Sequence, residues 1–184
     1  MRFFLAIELP QEVKDRIDEL QSELRPRLSS ARWVSPSNVH VTLRFLGETS
    51  ATVADHLGER VKGELMSQAR FVLKFRGLGA FPSSARPRVL WVGIDEAPQA
   101  LFRLQGLLEE SARAEGFPRE TRSFEPHLTI ARFRHSDPAL ASLLSTMGEP
   151  RLGQMTVSEL VCVESRLSPA GASCRTLGRF EIAE

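Results

Sequence analysis

Two tetrapeptides, His40-Val41-Thr42-Leu43 and His127-Leu128-Thr129-Ile130, set the same residue types at the same spacing twice in one chain. Both lie in short apolar runs that read as strands. Side chains alternate faces along a strand, so the His and the Thr of each copy, two residues apart, share a face. Val41 and Leu43 then point the other way, as do Leu128 and Ile130, which suits a core. Each copy therefore offers one imidazole and one hydroxyl from a rigid element. Two copies facing one another supply a pair of proton-transfer groups flanked by hydrogen-bonding hydroxyls, an arrangement suited to a metal-free reaction at phosphorus. A lone His in a strand is more often a core or surface residue. Scattering the four His and eight Thr of this chain at random would give two His-x-Thr matches roughly one time in a hundred.

The elements that must position these residues repeat with them. Sliding the chain 87 places, from His40 to His127, also carries Thr42 onto Thr129. The same ungapped slide puts Ile7-Glu8 on Ile94-Asp95, Ile17 and Leu20 on Leu104 and Leu107, and Val53 and Leu57 on Leu140 and Leu144. Identity is low, but apolar positions land on apolar positions. The pattern indicates two copies of one unit, roughly residues 2–78 and 88–164, and not a solenoid, which needs at least three repeats.

Each half shows the same order of elements. Residues 2–8 read as a strand with Phe3, Leu5 and Ile7 on one face. Pro10 opens a helix whose apolar stripe is Val13, Ile17, Leu20 and Leu24. Residues 32–38 form a turn-rich approach to the first motif strand. Ser50 caps a second helix carrying Val53, Leu57, Val61 and Leu65, and Phe71, Leu73 and Phe75 alternate as a strand. In the second half, 88–94 is a strand, and Pro98 opens a helix through Leu101, Leu104 and Leu108. The motif strand at 127–131 is followed by a short helix with Leu140, Leu143 and Leu144. One strand is expected over 155–164 and a last one over 174–182. Between the halves, residues 77–84 are expected to form a loop. They do not make a dinucleotide fingerprint, which needs GxGxxG opening a helix. Strands and helices alternate, and pattern alone leaves the pairing of the strands open.

Composition narrows the classes. A chain of 184 residues is expected to form one domain of two lobes around a sizeable core. The net charge of +1 leaves no global field to attract nucleic acid. Of the 24 cations, 21 are Arg. Arg suits bidentate phosphate recognition, yet the skew follows equally from genomic base composition. Cys162 and Cys174 have neither CxxC nor metal spacing, which fits free thiols in a reducing compartment. Phe3-Phe4-Leu5-Ala6-Ile7 is followed at once by Glu8 and Pro10, too short for a signal sequence or a membrane span. A soluble, cytoplasmic monomer with no membrane partner is the expectation.

With the motifs and their flanks together, the chain resembles the bacterial and archaeal RNA 2′,3′-cyclic phosphodiesterases, also called 2′-5′ RNA ligases, of the two-histidine phosphoesterase superfamily. The resemblance covers almost the whole chain. Its landmarks are Arg2 through Ile7, Arg32-Trp33-Val34, His40 through Gly47, Gly77 through Pro82, Arg88 through Trp91, Phe124 through Arg132, and Ser165 through Pro169. It implies an α+β, bilobal fold, a pseudo-two-fold duplicated unit with antiparallel sheets and outer helices around a central cleft. Strands from both ends of the chain are expected to interleave, so that sequence halves and lobes need not coincide. The implied activity is hydrolysis of a terminal 2′,3′-cyclic phosphate on RNA to a 2′-phosphate. Some relatives also join tRNA halves reversibly through a 2′-5′ linkage. His40 would be the proton donor and His127 the proton acceptor. The near symmetry leaves that division reversible on sequence grounds. No cofactor and no metal are implied, and Thr42 and Thr129 would hold the phosphate oxygens.

Three further residues are candidate substrate contacts. Arg132 matches a family position that contacts phosphate. It lies five residues from His127, so a regular strand would point it away, and a twist or bulge must re-aim it. Arg44, four residues from His40, faces the cleft in a regular strand, as a substrate contact or in a structural ion pair. Phe4 lies on the face opposite Phe3 and Leu5, to stack on a base or to pack in the core. Trp33, Trp91 and Phe124 are expected in the core, and His56 and His135 in solvent. A metal hydrolase would need a third His, Cys or carboxylate beside the His pair. A serine hydrolase would need an elbow that Gly171-Ala172-Ser173-Cys174 lacks. The competing readings are a phosphodiesterase of 2′-5′ bonds or small cyclic nucleotides, and a non-catalytic RNA-binding module.

Overall fold

The structure, a computed structural model, describes residues 2–168 and 171–183. Pro169, the end of the last landmark segment, lies outside them. Nine strands and four helices follow in the order β1 (Arg2–Glu8), α1 (Gln11–Leu24), β2 (Arg32–Trp33), β3 (His40–Glu48), α2 (Ala51–Leu65), β4 (Phe71–Phe81), β5 (Val89–Asp95), α3 (Gln99–Ala114), β6 (His127–Arg132), α4 (Pro138–Thr146), β7 (Arg151–Val157), β8 (Glu159–Ser168) and β9 (Gly171–Glu181). All ladders between the named strands are antiparallel. The strand order is β7-β4-β5-β6-β3-β1-β8-β9, with the short β2 paired to β6.

That order is symmetric about its middle. The two motif strands, β3 and β6, are the central neighbours, and they share a single register pair, Val41 opposite Leu128. These are the middle residues of the two His-x-Thr motifs, so the pseudo-two-fold axis passes between them. On either side of this pair the strands separate, one lobe hanging on each. The first lobe holds β3, β1, β8 and β9; the second holds β6, β5, β4 and β7.

The helices are exchanged between the lobes. α1 follows β1 of the first lobe but packs against β7 of the second, while α3 follows β5 of the second lobe and packs against β3 of the first. α1 carries its stripe Val13, Ile17, Leu20 and Leu24 into the core, and α3 carries Leu101, Leu104 and Leu108. Pro at the N-cap opens both helices. Ser50 caps α2, its hydroxyl accepting from the Val53 amide. Leu57, Val61 and Leu65 of α2 and Leu140 and Leu143 of α4 join the same buried cluster.

Three expectations need correction. Residues 77–81 are not loop: β4 runs on through Phe81, past a register shift between Phe75 and Leu78. Gly77, at φ +76°, takes up that irregularity, and its flexible-looking composition hid a strand. The single strand expected at 155–164 is two, β7 and β8, parted by Ser158 and belonging to opposite halves of the sheet. The register also shows that the 87-residue slide fails for the first strand of each unit. Glu8 faces His40 and Ala6 faces Thr42, whereas Gly93 faces His127 and Trp91 faces Thr129. Ile7-Glu8 therefore corresponds to Val92-Gly93 and not to Ile94-Asp95.

Candidate active site

Val41 and Leu128 are fully buried behind the sheet, which leaves His40, Thr42, His127 and Thr129 on the opposite, concave face. Antiparallel register through the Val41–Leu128 pair sets each His across from the other copy's Thr. Four half-buried polar side chains thus line the divide between the lobes.

Each imidazole is held by one backbone hydrogen bond and by aromatic side chains against its ring. Nδ1 of His127 lies 2.6 Å from the carbonyl oxygen of Glu125. A carbonyl only accepts, so Nδ1 carries the proton and Nε2 keeps its lone pair free toward the cleft. His40 makes the equivalent backbone bond to Asn38, again two residues upstream. The ring of His40 stacks on Phe4 of β1, centroids 4.5 Å apart and planes 22° from parallel. His127 instead meets the edge of Phe81 at 4.9 Å, with Trp91 at 6.2 Å. The Trp91 indole lies on Gly79, where a Cβ would come within 2.1 Å of it, so this position accepts only glycine. Trp91 is therefore a wall of the cleft, not the core residue expected, while Trp33 and Phe124 do pack on the core.

Both imidazoles are biased toward the neutral form. Burial, opposed by the Asn38 bond and aided by the charges of Arg132 and His127, lowers the pKa of His40 from about 6.5 to about 4. Burial likewise lowers that of His127, opposed by the Glu125 bond and aided by Arg132. An anion arriving in the cleft counters these effects and favours protonation of one ring.

A bulge in each motif strand decides which neighbours reach the site. Against β1, the register of β3 jumps from Ala6–Thr42 to Leu5–Arg44, leaving Leu43 as the extra residue. Against β5, β6 jumps from Trp91–Thr129 to Leu90–Ala131, leaving Ile130 as the extra residue. Leu43 and Ile130 are the same position of the repeat. Past the bulge every side chain swaps faces relative to a regular strand. Arg132 is thereby turned into the cleft, where its charge acts on both imidazoles.

The same bulge removes Arg44 from the cleft. The residue is 5% exposed, with Nε 2.6 Å from Glu109 Oε2 of α3 in an ion pair and the two terminal nitrogens donating to the carbonyls of Phe45 and Pro118. Of its two sequence readings, the structure places it in the ion pair. Phe4 is on the expected face but 4% exposed, its ring covered by His40 and by Phe45 at 5.8 Å. The open aromatic face is that of Phe45, 55% exposed, which the sequence reading missed. The repeat held the signal: Phe45 occupies the first-motif position equivalent to Arg132. His56 and His135 are exposed, as expected. Among the described residues, no three His, Cys, Asp or Glu side chains gather as a metal site.

No helix among the described residues is long and apolar enough to cross a membrane. The model of the LigT-like phosphoesterase family matches the chain twice, over residues 7–91 and 92–172. An RNA 2′,3′-cyclic phosphodiesterase of Aeropyrum pernix is 40% identical over 154 residues, which cover 83% of this chain and 86% of that protein. A protein of the same name from Archaeoglobus fulgidus is 32% identical over 181 residues, covering 98% of this chain and 100% of that one. Among solved structures, E. coli LigT complexed with 3′-AMP superposes with a TM-score of 0.83 at 28% identity, covering 100% of this chain and 98% of that chain.

Proposed function

This chain belongs to the LigT-like phosphoesterase family, and from that premise we propose that it opens the 2′,3′-cyclic phosphate at the end of an RNA to give a 2′-phosphate. The observation that carries this reading is the facing pair of His-x-Thr strands with Arg132 beside them. The names of the relatives supply the substrate class.

The mechanism needs no cofactor and no metal. Arg132, Thr42 and Thr129 hold the two non-bridging oxygens of the cyclic phosphate between the imidazoles. Water attacks phosphorus from the His127 side, and Nε2 of His127 takes its proton. The P–O3′ bond breaks on the opposite side, and His40, protonated on Nε2, gives its proton to the departing oxygen. The backbone bonds at Glu125 and Asn38 keep each ring aimed through this exchange. Burial makes protonated His40 a strong acid toward a ribose oxygen, and the bound phosphate supplies the negative charge that lets the ring hold its proton. Positioned acid and base groups contribute about 10²–10⁴-fold each. A ribose 5′-hydroxyl in place of water gives a 2′-5′ linkage by the same steps, which accommodates ligation of RNA ends such as tRNA halves.

A short RNA ending in a 2′,3′-cyclic phosphate, incubated with the protein and a strong chelator, tests the reading. The expected product is the 2′-phosphate, lost in both His40→Ala and His127→Ala. A 3′-phosphate would mean that the other ring oxygen departs. No product, with RNA still bound, would replace the enzyme reading with a binding one. Turnover that stops with the chelator would remove the metal-free mechanism.

A further inference from the structure

β2 is only two residues long, yet it is secured on every side. Arg32 and Trp33 pair with Arg132 and Ala131 of β6, along the edge that β3 has left. The Val34 amide donates to the Ile130 carbonyl at 3.0 Å. From behind, Nε2 of Gln21 donates to the carbonyls of both Val34 and Ile130, at 2.8 and 3.0 Å, and the Arg25 guanidinium lies 5.3 Å over the Trp33 ring. Trp33 and Ala131 face the core. Arg32 and Arg132, directly opposite one another, must then share the concave face.

Two guanidinium groups set side by side on adjacent strands repel one another and destabilise the sheet. Among the described residues, neither has a carboxylate partner, which is true of most arginines in this chain; what sets these two apart is that they stand directly opposite one another on paired strands, with no carboxylate between them. Both are exposed. An arginine pair without counter-charge, fixed on a braced strand, is built for an external anion. Arg132 stands on the motif strand itself, and its charge acts on both imidazoles. Arg32 stands across the ladder from it on β2, one strand removed from His127 and Thr129. The first lobe offers no such pair, since Phe45 occupies the position equivalent to Arg132.

We propose that Arg32 is a second phosphate-binding residue, which takes the phosphodiester on the 5′ side of the terminal nucleotide while Arg132 takes the terminal phosphate. The RNA backbone then enters over β6 and β2, and the first lobe is left to the terminal nucleoside. The inference rests on the cyclic-phosphate reading only for the direction of the strand; the phosphate contact itself is read by binding.

The test uses three ligands that require no turnover: adenosine 2′-phosphate, adenosine 2′,5′-bisphosphate and the adenylyl dinucleotide ending in a 2′-phosphate. Affinities are measured over a salt series with the full chain. Arg32→Gln, at an exposed position, should weaken the bisphosphate and the dinucleotide about tenfold more than the 2′-phosphate, and flatten the dinucleotide's log–log salt slope by about 0.7. Arg32→Lys should restore the slope but only part of the affinity. Arg132→Gln should weaken all three ligands alike. Equal losses for all three ligands in Arg32→Gln, or no loss for any, would overturn the assignment. A loss confined to the dinucleotide, with the bisphosphate unaffected, would also overturn it, since the contact would then be to the second nucleoside. Turnover of a cyclic-phosphate RNA by the unaltered protein, followed in parallel, reports separately on the proposed reaction.

Discussion

The two lobes carry the same four-residue chemistry on different surroundings. In the first, His40 lies flat on Phe4, the position past the bulge is Phe45, and α3 backs the strand with Leu108 and the Glu109–Arg44 ion pair. In the second, His127 sits against the edge of Phe81 beside Trp91, the position past the bulge is Arg132, and α1 backs the strand with Gln21. On the proposed mechanism, the axis preserves what proton transfer needs, one imidazole on each side of the phosphorus. The flanks have diverged, one into an aromatic wall and the other into a cationic one. On that reading the symmetric residues define the reaction, and the asymmetric ones define how the substrate lies in it.

The strongest way to break this comparison is to remove one imidazole at a time. His40→Ala and His127→Ala should each lower kcat by about 10²–10⁴-fold. Because the two act as a unit, the double variant should cost little more than the worse single one. Single-turnover rates on a cyclic-phosphate RNA check both statements. One variant retaining near-normal turnover would show that the lobes are not equal partners in proton transfer.

Arg132→Gln comes next, with an expected loss of about 10²–10³-fold in kcat/KM if its guanidinium holds a phosphate oxygen through the transition state. It also has a signature in pH. Reaction requires one ring protonated and one neutral. In the free protein burial, chiefly, and Arg132 in addition hold both pKa values below about 6.5. The alkaline limb of kcat/KM, which reports the free protein, should therefore lie below pH 6.5, and that of kcat should lie higher because the bound anion favours protonation. Removing the Arg132 charge raises both free values, so the alkaline limb of kcat/KM should move to higher pH. A limb that stays in place would mean that Arg132 does not act on the imidazoles. On the other wall, Phe45→Ala should raise KM about tenfold through lost base stacking, with little change in kcat.

Much of this was legible before any coordinates. The His-x-Thr pair and its 87-residue spacing marked the four side chains that the structure brings to one face, because strand alternation alone fixes which side chains share a face. The apolar stripes of α1 and α3 are where periodicity put them. Alternation fails at a bulge, and a bulge at Leu43 and Ile130 leaves no mark in residue type. That is why Arg44 was open to a cleft role it does not take up, why Arg132 needed an added twist, and why Phe45 passed unnoticed. The swap of α1 and α3 between lobes was equally hidden, since an amphipathic helix shows that it packs but not against which sheet.

The smallest expected effect tests whether the bulge is held from behind. Counted from the prolines that open them, α1 and α3 set Gln21 at the position of Glu109, so each lobe backs its bulge with a polar side chain, and Gln21→Leu removes that backing from the second. The side chain is fully buried, and its Nε2 bonds the carbonyl of the bulge residue Ile130 as well as that of Val34. Its Oε1, however, is buried without a partner. Substitution removes two donated bonds, each worth about 1 kcal/mol, but it also removes an unsatisfied acceptor of similar cost. Ile130 keeps its bond from the Val34 amide, so Val34 alone loses its partner. Stability should therefore change by no more than about 1–2 kcal/mol, or a few degrees in Tm. Catalysis should suffer more than stability does, because the freed bulge lets the Arg132 guanidinium drift from the phosphate. The expected loss is about threefold to tenfold in kcat/KM, far short of deleting the guanidinium. If that route is the real one, Gln21→Leu should cost almost nothing further in an Arg132→Gln background, because the residue it positions is already gone. Additive losses in the double variant would mean that Gln21 serves the fold of the second lobe and not the aim of its arginine.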